Sequence, residues 1–436
     1  MKYYRGTAFL LLLFVILGAY VYFAEFKGAQ KREKKEAEQR KVLLFEKRNI
    51  ENLSLIFPDR KMKFSRLGDD NWKMLEPLVD EADPLSLNNI VNDLHTLEHT
   101  REFTGEEYKP DIFKLDKPEI EVRIKIVGEE KEKILKIGRE SPTGSSLYVQ
   151  RGDENLALTV PSHFKSSLNK TVKDLRNSVV ISFRRNEVKE FQVKTEKLSL
   201  AFLNGGQWKV VKPLEVEASE INISDYFFTL EELRAKQFHE GKVSQKPFLE
   251  VILGKDKTLS FIEDPSHKIY VKKSGRDAVL ELDSNTKEKL LKDLFYFREK
   301  RLFGFDRFGV SEVQLSSKSP ISLTKKENGW MWADKKLKDD RVNTFLNSLV
   351  DLEVAQFLDQ KKYDPSLYGL QNPSKTIVLK NKEGKELLKL LVGKEQDKNV
   401  YVKMEKNPDV YLVLNVFLKS LPENINDWLE SAKAEK

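Results

Sequence analysis

The chain of 436 residues contains no cysteine, so neither a disulfide nor a cysteinyl metal site can stabilise it. The same absence leaves it compatible with either redox environment. Histidine is scarce, five in all, and His163, His239 and His267 show no partner spacing. No segment reads Gly-x-x-x-x-Gly-Lys, Gly-x-Gly-x-x-Gly after a strand, or Gly-x-Ser-x-Gly, so no nucleotide cradle or hydrolase elbow is visible. A basic excess in the folded part is missing too. Of the formal charge of +7, Lys2 and Arg5 supply two and residues 25–41 a net three, leaving a net two for residues 42–436. A nucleic-acid binder carries its cationic excess on its folded surface, which argues against that partner.

Long apolar runs are also rare, with one exception. Residues 7–24 carry no charge, are dominated by Leu, Phe, Val and Ile, and hold Tyr20 and Tyr22 near one end. As a helix this run spans about 27 Å, close to the hydrocarbon thickness of a bilayer. Aromatics at its end suit the headgroup boundary. Ala24-Glu25-Phe26 is no small-x-small cleavage site, so the run reads as an uncleaved anchor. More basic residues follow the run than precede it, which by itself favours a cytoplasmic domain. Against that, one N-terminal span before a long globular region is the usual form of an exported, anchored protein, and long domains translocate largely regardless of charge. The expectation adopted is a single-pass protein of the cytoplasmic (inner) membrane with its C-terminal part on the periplasmic side. Residues 25–41 mix basic residues with glutamate and show no apolar stripe, as expected of a solvated juxtamembrane stalk.

Beyond the stalk one pattern recurs three times. Its clearest copy has Leu198, Leu200 and Phe202 alternating, Asn204-Gly205 as a turn, Trp208 and Val210 resuming the apolar face, and Pro213 closing it. Met62 and Phe64 with Trp72, Met74 and Pro77 repeat this grammar, as do Ile321 and Leu323 with Trp330 and Trp332. Each window leads into a helical spacing, ending at Leu94 and Leu97, Leu230 and Leu233, or Leu349 and Leu352. Asp83-Pro84 predicts an N-cap and first helical position for the first of these helices. A further strand recurs around Tyr148, Tyr270 and Tyr401. From Ile50 to Val188 is 138 residues and from Trp72 to Trp208 is 136, while the next step is 122 for both landmarks. Units of this length are domain-sized, not short solenoid repeats. The expected fold is α+β: an N-terminal transmembrane helix in residues 1–24, the stalk at 25–41, and three tandem repeats of antiparallel sheet plus helices at 42–181, 182–305 and 306–436, the last including the tail.

Leu115-Asp-Lys-Pro118 in the first repeat matches Tyr368-Gly-Leu-Gln-Asn-Pro373 in the third, whereas the second lacks Leu-x-x-Pro. With the basic-flanked N-terminal span and the Trp-then-Pro hairpin, these residues resemble the bacterial family catalogued as domain of unknown function 4340. The resemblance covers most of the chain, on turn and packing residues. It implies a membrane-anchored protein often encoded beside ABC transporter components of the gliding-motility type, and no catalytic residues.

One motif suggests chemistry. His95-Thr-Leu-Glu-His99 fits His-x-x-Glu-His, two histidines one helical turn apart that could hold Zn²⁺ with Glu98 as base. Aligning the repeats sets Glu231 and Val350 opposite His95, and Ala235 and Val354 opposite His99, which favours the end of an ordinary packing helix. Ser141-Pro-Thr-Gly-Ser-Ser146 lacks the lysine of a phosphate loop, and the recurring tryptophans read as core in preference to a glycan-stacking surface. No catalytic, cofactor or metal residue is therefore assigned. The leading expectation is a non-catalytic, membrane-tethered accessory of a transport or envelope complex, acting through protein contacts with partners such as ABC transporter components. The alternatives are an extracytoplasmic module binding polysaccharide or lipid, and a metal-dependent hydrolase using His95, Glu98 and His99.

Overall fold

Met62 and Phe64 alternate with Lys61, Lys63 and Ser65, and both apolar side chains are fully buried on one face of a strand. Nine strands form the first sheet: β1 (Ile50–Ile56), β2 (Lys61–Arg66), β3 (Trp72–Glu76), β4 (Asp80–Ala82), β5 (Arg101–Thr104), β6 (Ile120–Ile126), β7 (Lys133–Glu140), β8 (Ser146–Arg151) and β9 (Leu156–Pro161). Their order is β4-β3-β2-β1-β6-β7-β8-β9-β5, antiparallel throughout. The sheets at residues 190–282 and 312–414 repeat that nine-strand order position for position. The protein is thus α+β with three repeats, seen here in a computed structural model that describes residues 3–22, 38–68, 71–241, 243–316, 319–358, 364–405, 407, 409–422 and 424–430. The expected stalk up to residue 37, the turn residues Asp69 and Asp70 and the tail from residue 431 lie outside the described residues. By internal packing the chain forms two compact units, Met1–Ser199 with Tyr226–Leu291 and Leu200–Asp225 with Lys292–Lys436.

The N-terminal helix, α1 (Tyr3–Val21), is 19 residues long, and its side chains are described from Phe9 onward. All of those, through Tyr22, are exposed. Among the described residues no helix is long and apolar enough to cross a membrane.

In each repeat the Trp hairpin feeds a short extra strand and then the helix: α2 (Pro84–Thr96), α3 (Glu220–Glu231) or α4 (Asp339–Val350). Asp83 caps α2 as expected, its carboxylate accepting from the Ser86 N–H at 3.2 Å and the Ser86 hydroxyl at 2.6 Å. Leu87, Ile90, Val91 and Leu94 then bury against the sheet, and the Trp72 indole N–H reaches Asn88 on the helix at 2.9 Å. The helix stops earlier than the His-x-x-Glu-His spacing requires. Leu97 to His99 are extended because the Val42 N–H donates to Leu97 and the His99 N–H to Arg40, both at 2.9 Å. Pairing with that incoming segment satisfies backbone groups that another helical turn would otherwise satisfy.

The opposite sheet face carries a second, smaller cluster around the recurring tyrosines. Tyr148 packs with Phe113, Leu115 and Ala157; Tyr270 with Val243, Ile262 and Val279; Tyr401 with Leu370, Val410 and Leu412. Here the second repeat departs, and the structure shows why. In the first repeat the segment carrying Phe113 and Leu115 crosses so close to β7 that a Cβ on Gly138 would sit 2.0 Å from the Phe113 carbonyl oxygen. A Cβ on Gly393 would sit 2.1 Å from that of Tyr368. The pairings Ile137↔Val149, Phe261↔Val271 and Val392↔Val402 put Ile262 at the corresponding place in the second repeat. Where Leu-x-x-Pro is absent, an isoleucine side chain fills the space that the crossing segment fills elsewhere.

Candidate functional site

The sequence motif with the most chemical promise is dispersed by the fold. His95, on the last turn of α2, donates from Nδ1 to the Phe45 carbonyl at 3.0 Å and meets the Phe45 ring edge-on at 5.5 Å. His99, beyond the helix, has Nε2 at 3.4 Å from the Gln39 carbonyl and 3.5 Å from a Glu102 carboxylate oxygen. Glu98 is exposed and bridges Lys41 through the backbone. The stretch therefore clasps residues 39–45. Two histidines one helical turn apart, as the spacing suggested, is corrected: α2 ends at Thr96, before His99. Among the described residues no group of three His, Asp or Glu side chains could hold a metal ion. Trp72, Trp208 and Trp330 are buried and Trp332 packs half-buried against the third core, so these rings present no stacking surface. Ser141, Thr143 and Ser145 hydrogen-bond to one another in a closed turn.

The most organised polar group lies where the first repeat meets the second, entirely within the first unit. The Asp80 carboxylate has no solvent exposure. Arg176 donates Nε to it at 2.8 Å, and Arg276 donates two bonds at 2.7 and 3.0 Å. Arg276 Nη2 also donates to the Asn177 carbonyl at 2.9 Å. Glu81 takes Lys273 at 2.5 Å, and Glu240 pairs with Arg176. Three acids thus meet three bases. Burial alone would raise the Asp80 pKa, but the hydrogen bonds and charge of Arg276, then Arg176 and the Glu81 N–H, outweigh it and hold the carboxyl below its ordinary range. A carboxylate so saturated with donors has little capacity left to take a proton from a substrate, and the cluster reads as a fastener.

This fastener has a common plan. Val42-Leu-Leu-Phe45, Val180-Ile-Ser-Phe183 and Leu302-Phe-Gly-Phe305 each follow an isolated backbone bridge, Lys41↔Glu98, Val179↔Arg234 and Arg301↔Glu353. Three residues before the second and third bridges stand Arg176 and Arg298, stacked 4.0 Å over Phe238 and 3.6 Å over Phe357. Around Arg298, within the second unit, the neighbours are aromatic: Phe295 and Phe357 are 5.9 Å apart and Phe357 and Tyr411 are 6.3 Å apart. Burial, then the Asp409 charge, pushes the Tyr411 hydroxyl up to about 12. Beside the first joint lies a depression of about 520 Å³ lined by Val79, Arg176, His239 and Lys272 among others.

The family model for a domain of unknown function (DUF4340) matches residues 72–251, 208–373 and 336–434. The first two matches begin at Trp72 and Trp208, the hairpin landmarks of the repeat. No curated protein matches the chain. Among solved structures it is similar to a DnaN sliding clamp (DNA polymerase III subunit beta) from Pseudomonas aeruginosa bound to griselimycin, at 9% identity over 87% of this chain and 94% of that one, with a TM-score of 0.13. DNA polymerase III subunit beta from Borrelia burgdorferi in complex with a natural product gives 9% identity over 88% and 96%, with a TM-score of 0.14. Scores this low carry no argument about fold or partner.

Proposed function

From the premise that the chain belongs to the DUF4340 family, we propose that it is a membrane-anchored, non-catalytic accessory of a transport or cell-envelope complex. The observation that carries this reading is α1. Its side chains from Phe9 to Tyr22 are apolar or small on every side and all exposed, whereas each repeat buries its apolar residues on its own sheet. A helix apolar all round is stable where lipid or another apolar element covers it. Such an anchor holds the three repeats at the membrane, where tethering raises the effective concentration of partner contacts. The partner class we propose is the membrane component of an ABC-type transporter, with the repeats on the periplasmic side.

Expression of the full chain and of a version lacking residues 1–24, followed by fractionation and detergent co-purification, tests this. The full chain is expected in the membrane fraction with a co-purifying membrane protein, and the shortened chain in neither. Recovery of both in the soluble fraction would end the anchored reading.

A further inference from the structure

We infer that one rim of the first repeat, formed by the loops that carry Leu44, Leu67 and Val127, rests on the lipid headgroup boundary. The inference deepens the anchored reading above and rests on it. The three side chains are 63%, 54% and 64% exposed. They share one end of the first sheet. Leu67 follows β2, Val127 follows β6, and both strands flank the start of β1, where the Arg66 guanidinium donates to the Lys47 carbonyl and the Val127 N–H donates to Asn49 at 2.8 Å. Leu44 stands beside Lys133 and Ile134 at the start of β7, the next strand along.

Single exposed aliphatics are ordinary on any surface. What sets these apart is the control that the chain contains within itself. At the place of Leu44 in the bridge-and-Phe segment, the second and third repeats have Ser182 and Gly304, both exposed. The hairpin tip of Leu67 reads Asn204-Gly-Gly-Gln207 and Lys325-Lys-Glu-Asn328 in the other two. The turn of Val127 becomes Gly254-Lys-Asp256 and Asn381-Lys-Glu-Gly-Lys385. At all three places only the first repeat is aliphatic. Nearby, the second repeat has Leu203, 49% exposed on the strand just before its tip, and the third has one exposed aromatic, Phe308, among Lys326 and Lys382, so the cluster of three is confined to the first repeat. The first repeat is also the one next in sequence to α1, and Leu44 lies on the segment arriving from that helix. Charged residues of both signs stand among the aliphatics: Lys47, Arg48 and Arg66 with Glu46 and Glu129 along the chain, Lys133 and Arg151 with Glu132, Asp153 and Glu154 around Leu44, and Asp69 and Asp70 after Leu67 in sequence. Aliphatic side chains amid charged ones suit the boundary between headgroup and acyl chain. With α1 holding the chain at the bilayer, a weak contact is enough to orient the repeat.

The lack of native cysteine makes the test direct. Full-length Leu67→Cys and Val127→Cys, each carrying an environment-sensitive fluorophore, are placed in phosphatidylethanolamine–phosphatidylglycerol vesicles with a nitroxide-bearing lipid. Leu12→Cys reports on the anchor, and Asp256→Cys and Lys382→Cys report on the corresponding turns. Loss of emission at positions 12, 67 and 127, with none at 256 and 382, is the expected result. Quenching at 12 alone overturns the rim contact and leaves the anchor standing; no quenching at 12 brings down the anchored reading itself. Shielding of 67 and 127 in native membranes but not in these vesicles also overturns the lipid contact, in favour of a protein partner.

Discussion

The two joints between repeats share a plan and differ in chemistry. Each places an arginine from the end of one repeat on a phenylalanine of the next, Arg176 on Phe238 and Arg298 on Phe357. The first adds a buried carboxylate, Asp80, shared with a second guanidinium from Arg276. At the second, the register of the short extra strand puts Val216 where the first has Asp80, and the surroundings of Arg298 are rings. One scaffold thus adds a buried carboxylate to its stacked arginine at one junction and further rings at the other. A buried ion pair costs desolvation that only close geometry repays, whereas packed rings contribute through apolar burial and their contact geometry.

The largest expected effect comes from removing the carboxylate. Asp80→Ala removes the carboxylate that two buried guanidinium groups share, leaving Arg176 to Glu240 and Arg276 to the Asn177 carbonyl, and should destabilise the first joint by about 3–5 kcal/mol. Hydrogen exchange at the Ala235 N–H, which donates to Ser178 across that joint, reads it directly, and the Val354 N–H, which donates to Lys300, reports on the second. Unchanged exchange at Ala235 would break the contrast. Arg298→Ala should loosen Val354 by about 1–2 kcal/mol, the scale of a desolvated cation–π contact. Arg298→Lys should recover only part of this, because a planar group is lost.

Acidity separates the joints further. Because the Asp80 carboxyl lies below its ordinary value of 3.8 when folded, its contribution is complete above that pH and is lost as pH falls through the folded value. Protection at Ala235 should therefore weaken in acid below pH 3.8, and Asp80→Asn should remove that dependence. Tyr411 behaves in the opposite sense. Raised from 10.0 to about 12, it contributes fully below pH 10.0 and loses that contribution as pH rises towards 12. Exchange at Val354 in alkali, with Tyr411→Phe as reference, checks it.

The hairpins, the helices after them and the tyrosine strands were legible because period-two and period-3.6 burial leave local traces. Asp83-Pro84 announced its helix for the same reason. The short extra strands β4, residues 216–217 and residues 335–336 were not, since two or three residues carry no periodicity. Nor were the joints. Asp80 lies 96 residues from Arg176 and 196 from Arg276, and in a chain with 33% charged residues nothing local marks those three. Comparison of the repeats already set the histidine motif at the end of a packing helix; that the helix stops at Thr96 was not legible, because a distant segment competes for the backbone of Leu97 to His99.

That segment fixes how the molecule meets a pull. Tension arriving from the N-terminal side reaches the first repeat at Arg40 to Phe45, where the backbone bonds Val42 to Leu97 and His99 to Arg40 form a short ladder. So short a seam would peel. Val42, Leu43 and Phe45, however, are plugged into the first core, so the load passes from a brittle zipper of backbone bonds to a buried wedge of side chains that must be dragged into water before the strand can part.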